Sequence, residues 1–171
     1  MDCDSYHGEV VPKNLVLADS NDSEGTETAL WNSLSTCHSL IAAELRLRLR
    51  QHYSMTLPRY EAMAELSRHE EGLPMGELSR RLMVSNGNIT GITDRLVADG
   101  LVSRHPDPSD RRTHFIKLTR KGRESFDRIS QSYNSWLGEL LDGISAKQSR
   151  NLENLLQQLQ HVVNRRASIG P

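Results

Sequence analysis

Pro74-Met-Gly-Glu-Leu-Ser-Arg-Arg-Leu-Met-Val-Ser-Asn-Gly-Asn-Ile-Thr-Gly-Ile-Thr-Asp-Arg-Leu-Val-Ala-Asp-Gly100 is the stretch that decides the fold of this 171-residue chain. Leu78 and Leu82 lie four apart, which predicts a short helix over Gly76 to Met83 with one apolar face. A polar turn follows at Val84-Ser-Asn-Gly87, where Ser85 suits the N-cap of a second helix. That helix spans Asn86 to Ala98 and stops at Asp99-Gly100, Gly supplying the left-handed residue past its end. Ile89, Ile92 and Leu96 form its buried stripe, leaving Ser85, Asn86, Asn88, Thr90, Gly91, Thr93, Asp94 and Arg95 on the remaining surface.

The next residues, Leu101-Val-Ser-Arg-His-Pro-Asp-Pro-Ser-Asp-Arg-Arg-Thr-His-Phe-Ile-Lys-Leu-Thr119, predict a hairpin. Leu101 to His105 and Thr113 to Leu118 read as short antiparallel strands, with Phe115 and Lys117 on one face and Ile116 and Leu118 on the other. The Pro- and Asp-rich segment between them is a loop. Helix, turn, helix and wing in this order make a device for reading duplex DNA. Asn pairs two-pronged with adenine, Thr touches thymine, and Arg reaches guanine or phosphate. At the wing tip, Arg111 and Arg112 suit a narrow minor groove, and Asp110 can fix the direction of Arg112.

These residues resemble the MarR-type (multiple antibiotic resistance regulator) winged-helix repressors. The resemblance is carried by Leu57-Pro-Arg-Tyr60, Asp94-Arg-Leu-Val97, Gly100-Leu-Val102, Asp110-Arg-Arg112 and Ile116-Lys-Leu-Thr-Arg-Lys-Gly122. It implies that the helix beginning near Ser85 enters the major groove, that Arg95 contacts DNA, and that Arg112 sits in the minor groove. Many members carry a long basic side chain where this chain has Gly91, which shifts base readout to Asn86, Asn88 and Thr90 or to DNA shape.

Charge is divided in the same sense. Residues 74–123 hold ten Lys/Arg against five Asp/Glu, whereas residues 1–27 hold seven acids against Lys13, so a chain of formal charge −1 has a basic half facing phosphate. Cys3 and Cys37 are too few for a disulfide framework or a zinc site. No run approaches the ~20 apolar residues that span a bilayer. The acidic start is unlike a secretion signal, and the expectation is a cytoplasmic protein without membrane attachment.

The expected fold is mainly α with a small β part: a winged helix-turn-helix domain plus a helical dimerisation domain from the N- and C-terminal helices. By pattern the chain divides into an acidic arm over 1–23, a dimerisation helix over 24–52, the DNA-binding domain over 53–122, dimerisation helices over 123–166 and a tail over 167–171. Leu30, Leu34, Cys37, Ile41 and Leu45 share a face of the first helix, whose end, Leu45-Arg-Leu-Arg-Leu-Arg50, alternates like a strand but follows a helical run without a breaker. Thr56 opens a helix over Leu57 to His69, with Pro58 in its first turn. Thr119 caps a helix reaching Leu141, Gly143 breaks it, and Ser145-Ala-Lys-Gln148 is a capping box before a coiled-coil-like row of Leu152, Leu155, Leu159 and Val162. A winged helix nearly closes its own core, so these outer faces predict a two-fold dimer whose recognition helices sit ~34 Å apart on a palindromic operator.

The resemblance further implies a small aromatic, anionic effector held between the winged-helix lobe and the dimer helices. His38, Arg46, Tyr60, Met63, Tyr133 and Trp136 have the chemistry to line such a cleft. The opening Ser85-Asn-Gly-Asn-Ile-Thr-Gly91 is similar to that of members governing breakdown of aromatic acids, including hydroxycinnamates and their coenzyme A thioesters. Some relatives sense oxidation through a first-helix cysteine. Cys37 lies in that helix but off the expected offset, and its apolar stripe predicts a packed, inert thiol. No phosphate-cradling loop, HExxH, CxxC or nucleophile elbow is present, so neither catalysis, a cofactor nor a metal is expected. Two functions stay open on the residues alone: a ligand-responsive regulator binding duplex DNA, and a winged-helix adaptor whose basic wing meets an acidic protein.

Overall fold

The structure, a computed structural model, describes residues 25–106 and 114–168. Two units are distinguished, residues 1–40 and 41–171. The expected arm over 1–23 lies outside the described residues, and the first unit contributes the start of helix α1 (Thr26–Tyr53). In this part Leu30, Trp31 and Leu40 are exposed.

The second unit contains the rest of α1 and α2 (Leu57–Ser67), β1 (Leu73–Pro74), α3 (Met75–Arg81), α4 (Asn86–Ala98), β2 (Val102–Pro106), β3 (His114–Leu118), α5 (Arg120–Leu140) and α6 (Ala146–Ser168). The alternating Leu/Arg end of α1 is helical. Leu45 and Leu49, one turn apart, are buried, while Leu47 between them is half exposed. Thr56 occupies the N-cap position of α2 but its side chain makes no capping hydrogen bond, contrary to expectation; Pro58 does sit in the first turn.

The sheet has the order β1-β3-β2, antiparallel throughout. Val102 pairs with Leu118 and Arg104 with Ile116, so the wing strands have the expected faces: Ile116 and Leu118 are buried, Phe115 and Lys117 half-buried. Strand β1 was not foreseen. It is two residues long, too short to show a period, and Pro74 brings no N–H to the ladder. It covers the far edge of β3, pairing Leu73 with Ile116.

One core joins the elements of this unit other than α6, with Leu49, Met63, Leu66, Leu78, Ile89, Leu96, Ile116 and Ile129 all essentially inaccessible. The helix ends follow from local chemistry. Gly100 takes φ +70° past the end of α4. Thr119 Oγ1 accepts from the Gly122 N–H (3.0 Å) and donates to the Gly100 carbonyl (2.7 Å), tying the start of α5 to the end of α4. Gly143 lies between α5 and α6, and the Ser145/Gln148 capping box forms: the Ser145 N–H donates to Gln148 Oε1 (2.9 Å) and the Gln148 N–H to Ser145 Oγ (3.3 Å).

Candidate nucleic-acid interface

Helix α4 is anchored on one face and open on the other. Ile89, Ile92 and Leu96 enter the core as expected. Ser85 caps the helix by accepting from the Asn88 N–H at 3.3 Å. Asn86, Asn88, Thr90, Gly91 and Arg95 are exposed together with Ser85. No hydrogen bond holds the side-chain amides of Asn86 and Asn88 among the described residues, so their donors and acceptors are available to a base edge. Thr90 Oγ1 donates to the Asn86 carbonyl (2.8 Å) and keeps its acceptor capacity. A Cβ placed on Gly91 would meet nothing within 4 Å, so the missing side chain leaves open space, not tight packing. Beside it a trough of about 530 Å³ runs between α4 and the start of α2, lined by Asn88, Gly91 and Arg95 on one side and Thr56, Pro58 and Arg59 on the other.

Thr93 corrects the expectation. It is fully buried, not on the open face, and its Oγ1 donates to the carbonyls of Ile89 (2.9 Å) or Thr90 (3.0 Å). A threonine that back-bonds to its own helix can be buried without an unsatisfied hydroxyl. The side chain above it is Arg104 of β2, absent from the expected site. Arg104 Nη2 donates to Thr93 Oγ1 at 2.7 Å and pairs with Asp94 Oδ1 at 2.6 Å. At the far end of α4, Asp99 pairs with Arg59 of α2, and its carbonyl accepts from Lys121 Nζ of α5 at 2.8 Å. Helix α3 is braced by Arg81, which bonds Glu77 (2.7 Å) and Glu65 of α2 (3.0 Å). The Arg81 hydrogen bond also holds the Glu77 carboxyl below its ordinary pKa. The open face is therefore carried on a helix fixed by apolar contacts below and by polar contacts to other elements along its C-terminal half.

Asp110, Arg111 and Arg112, expected at a wing tip, lie outside the described residues.

Of the six side chains expected around an effector, His38 belongs to the first unit and the other five to the second. His38 is exposed in the first unit. In the second, Arg46 is exposed, whereas Tyr60 and Met63 are interior. Tyr60 stacks on Tyr133 with ring centroids 4.3 Å apart and on Phe126 at 5.8 Å. Burial pushes the Tyr60 hydroxyl up to about 12 and raises that of Tyr133 as well. Trp136 packs against His52 at 5.4 Å and Tyr53 at 6.1 Å. Tyr60 of α2 with Phe126 and Tyr133 of α5 joins those two helices, while Trp136 joins α5 to the end of α1. A separate cleft of about 430 Å³ lies where the α1–α2 junction meets α4 and α5, lined by Tyr53, Arg59, Asp99, Lys121 and Arg128 among others. Cys37 is exposed, not packed as its stripe predicted. Among the described residues there is no group of acidic, His or Cys side chains able to hold a metal, and no helix long and apolar enough to cross a membrane.

Comparison with known proteins agrees with this geometry. A family model described as the MarR family matches residues 55–114, from the end of α1 to the start of β3. The transcriptional activatory protein BadR of Rhodopseudomonas palustris is 34% identical over 94 residues, covering 53% of this chain and 54% of BadR. The chain thus spans about half the length of that curated relative. A MarR family transcriptional regulator from Silicibacter pomeroyi has a crystal structure superposing with a TM-score of 0.71 at 31% identity, over 84% of this chain and 99% of that one. A cysteine-to-serine mutant of MarR from E. coli, solved with operator DNA, superposes with a TM-score of 0.70 at 25% identity, over 77% of this chain and 93% of that one.

Proposed function

Because the chain belongs to the MarR family, we propose that it is a homodimeric transcriptional regulator that reads a palindromic operator in duplex DNA through α4. The observation that carries this reading is the open face of α4: Asn86, Asn88, Thr90 and Arg95 exposed over a stripe of three buried apolar residues. The local charge excess over 74–123 supplies attraction to phosphate. The operator-bound state of the E. coli relative supports the same use of the fold here. Residues 53–122 then form the DNA-binding domain, and the helices over 24–52 and 123–166 the dimerisation domain. We assign the regulator to the cytoplasm, where DNA is.

Regulation is proposed to be repression relieved by a small aromatic carboxylate or its coenzyme A thioester. The R. palustris relative is named an activatory protein, so the sign is tested by a reporter downstream of the operator: expression should fall when the protein is supplied and recover with the effector. Because Tyr60 and Met63 are interior, we place the site for that effector elsewhere in the same unit. The 430 Å³ cleft carries Arg59, Lys121 and Arg128 against Asp99, a lining that favours an anion.

DNA binding is tested by fluorescence polarisation on a duplex selected from a random pool, beside a random duplex of equal length, at two salt concentrations. Tight, salt-sensitive and sequence-selective binding is expected; equal, weak affinity for both duplexes would favour the protein adaptor. Asn88→Ala should lower the preference for the selected duplex about tenfold, the size of one lost base contact, while leaving random-duplex affinity unchanged. Arg112→Ala should weaken both and reduce the salt slope by about one, as expected for a group held against phosphate in a minor groove. An unaltered slope would remove Arg112 from the interface.

A further inference from the structure

We propose that Arg104 is a positioning residue that fixes the rotation of α4 about its axis, and so determines which of its side chains face a bound duplex. The inference rests on the DNA-reading function of α4. Arg104 lies on β2 opposite Ile116 of β3, on the strand pair that forms the wing. Its single nitrogen Nη2 contacts two successive residues of α4, Thr93 Oγ1 at 2.7 Å and Asp94 Oδ1 at 2.6 Å. Successive residues point ~100° apart around a helix, so one rigid donor held between them resists rotation in both directions.

The consequence is large for small rotations. A roll of roughly 20° moves side-chain tips 5–6 Å from the axis by about 2 Å, enough to lose a base-edge hydrogen bond. Apolar contacts through Ile89, Ile92 and Leu96 hold α4 down but are not directional. Thr93 passes the restraint into the backbone, since its hydroxyl also engages the Ile89 or Thr90 carbonyl, one turn from Asn86 and next to Asn88.

One feature separates positioning from simple stabilisation. Asp94 is more than half exposed, and an ion pair in that setting contributes little to folding. The Arg104 guanidinium reaches across to α4 through Nη2, while its Nε, like that of Arg59, has no hydrogen-bond partner among the described residues.

The test compares the unaltered protein with Arg104→Met, Arg104→Lys and Asp94→Asn on a duplex selected by the unaltered protein from a random pool, and on random duplex. Arg104→Met is expected to lower the selected-to-random affinity ratio about tenfold, with random-duplex affinity and the salt slope unchanged. Arg104→Lys should recover most of the ratio, because one cationic nitrogen can reach both acceptors. Asp94→Asn, an exposed change that leaves the core intact, should lose part of it even if Arg104→Met does not fold. A ratio unchanged in Asp94→Asn and in a folded Arg104→Met would overturn the proposal. So would loss of affinity for both duplexes with a salt slope reduced by about one, which would make Arg104 a phosphate contact. Failure of the unaltered protein to select any sequence would instead overturn the DNA-reading function beneath it.

Discussion

Gly122→Ala is expected to destabilise the chain by ~3 kcal/mol, although alanine is the better helix former by ~1 kcal/mol. Gly122 is buried in the first turn of α5, where a Cβ would stand 1.9 Å from the Leu101 carbonyl oxygen and 2.9 Å from its carbon. That carbonyl cannot retreat freely. It accepts from the Thr119 N–H at 3.0 Å, while the Leu101 N–H is held by the Leu96 carbonyl at 2.9 Å. Relief by moving α5 would stretch the Thr119 cap and shift Leu118, whose Cδ2 lies 3.2 Å from the added carbon. The clash therefore spreads into the joint between α4, β3 and α5. Urea unfolding at one fixed protein concentration measures the loss, since any dimer makes apparent stability concentration-dependent. Gly91→Ala is the internal control. Its added Cβ meets nothing, so stability should rise by up to ~1 kcal/mol. Equal small effects at both glycines would show that the α5 joint has room to relax.

The different behaviour of these two glycines could not be read from the sequence, which shows only that both lie in helical segments. What was legible had a local cause. The stripe of α4, its Ser85 cap and the Gly100 stop each follow from residues within a few positions of one another, and all three appear as expected. So does the Ser145/Gln148 capping box. Thr93 shows where polarity misleads. Spacing of four from Ile89 places it on the buried stripe, but its hydroxyl suggested solvent; the back-bond to the Ile89 carbonyl reconciles the two. Arg104 was missed for another reason. Its partners are ten and eleven residues away on a different element, and nothing in a strand's alternation announces an ion pair across to a helix. Strand β1 depends on pairing with β3 more than forty residues later. Tyr60 and Met63 have the residue types of a ligand wall and are interior, with the partly buried Tyr133 of α5 stacked on Tyr60.

Leu155→Asp with Leu159→Asp should convert dimers to monomers and lower operator affinity by at least a hundredfold. Helix α6 is 23 residues long, about 35 Å, with Leu152, Leu155, Val162 and Val163 each between 48% and 62% exposed. Leu159 lies one turn beyond Leu155 and is only partly covered. In the proposed two-fold dimer, a second copy would cover this row of apolar side chains. Symmetry makes each substitution count twice, so four carboxylates would enter one interface, each costing several kcal/mol to bury unpaired. The DNA effect follows by a different route. A dimer that has bound one half-site meets the second intramolecularly, an advantage of roughly 10²–10⁴ that a monomer lacks. Binding to a single half-site should therefore change little, while the advantage of the full palindrome over that half-site disappears. Sedimentation gives the assembly state and polarisation on full and half-site duplexes gives the affinities. Retained dimers would place the interface off α6. Monomers that still favour the full palindrome would show that the two half-sites are not joined through protein contacts, and that the pairing of recognition helices comes from the DNA itself.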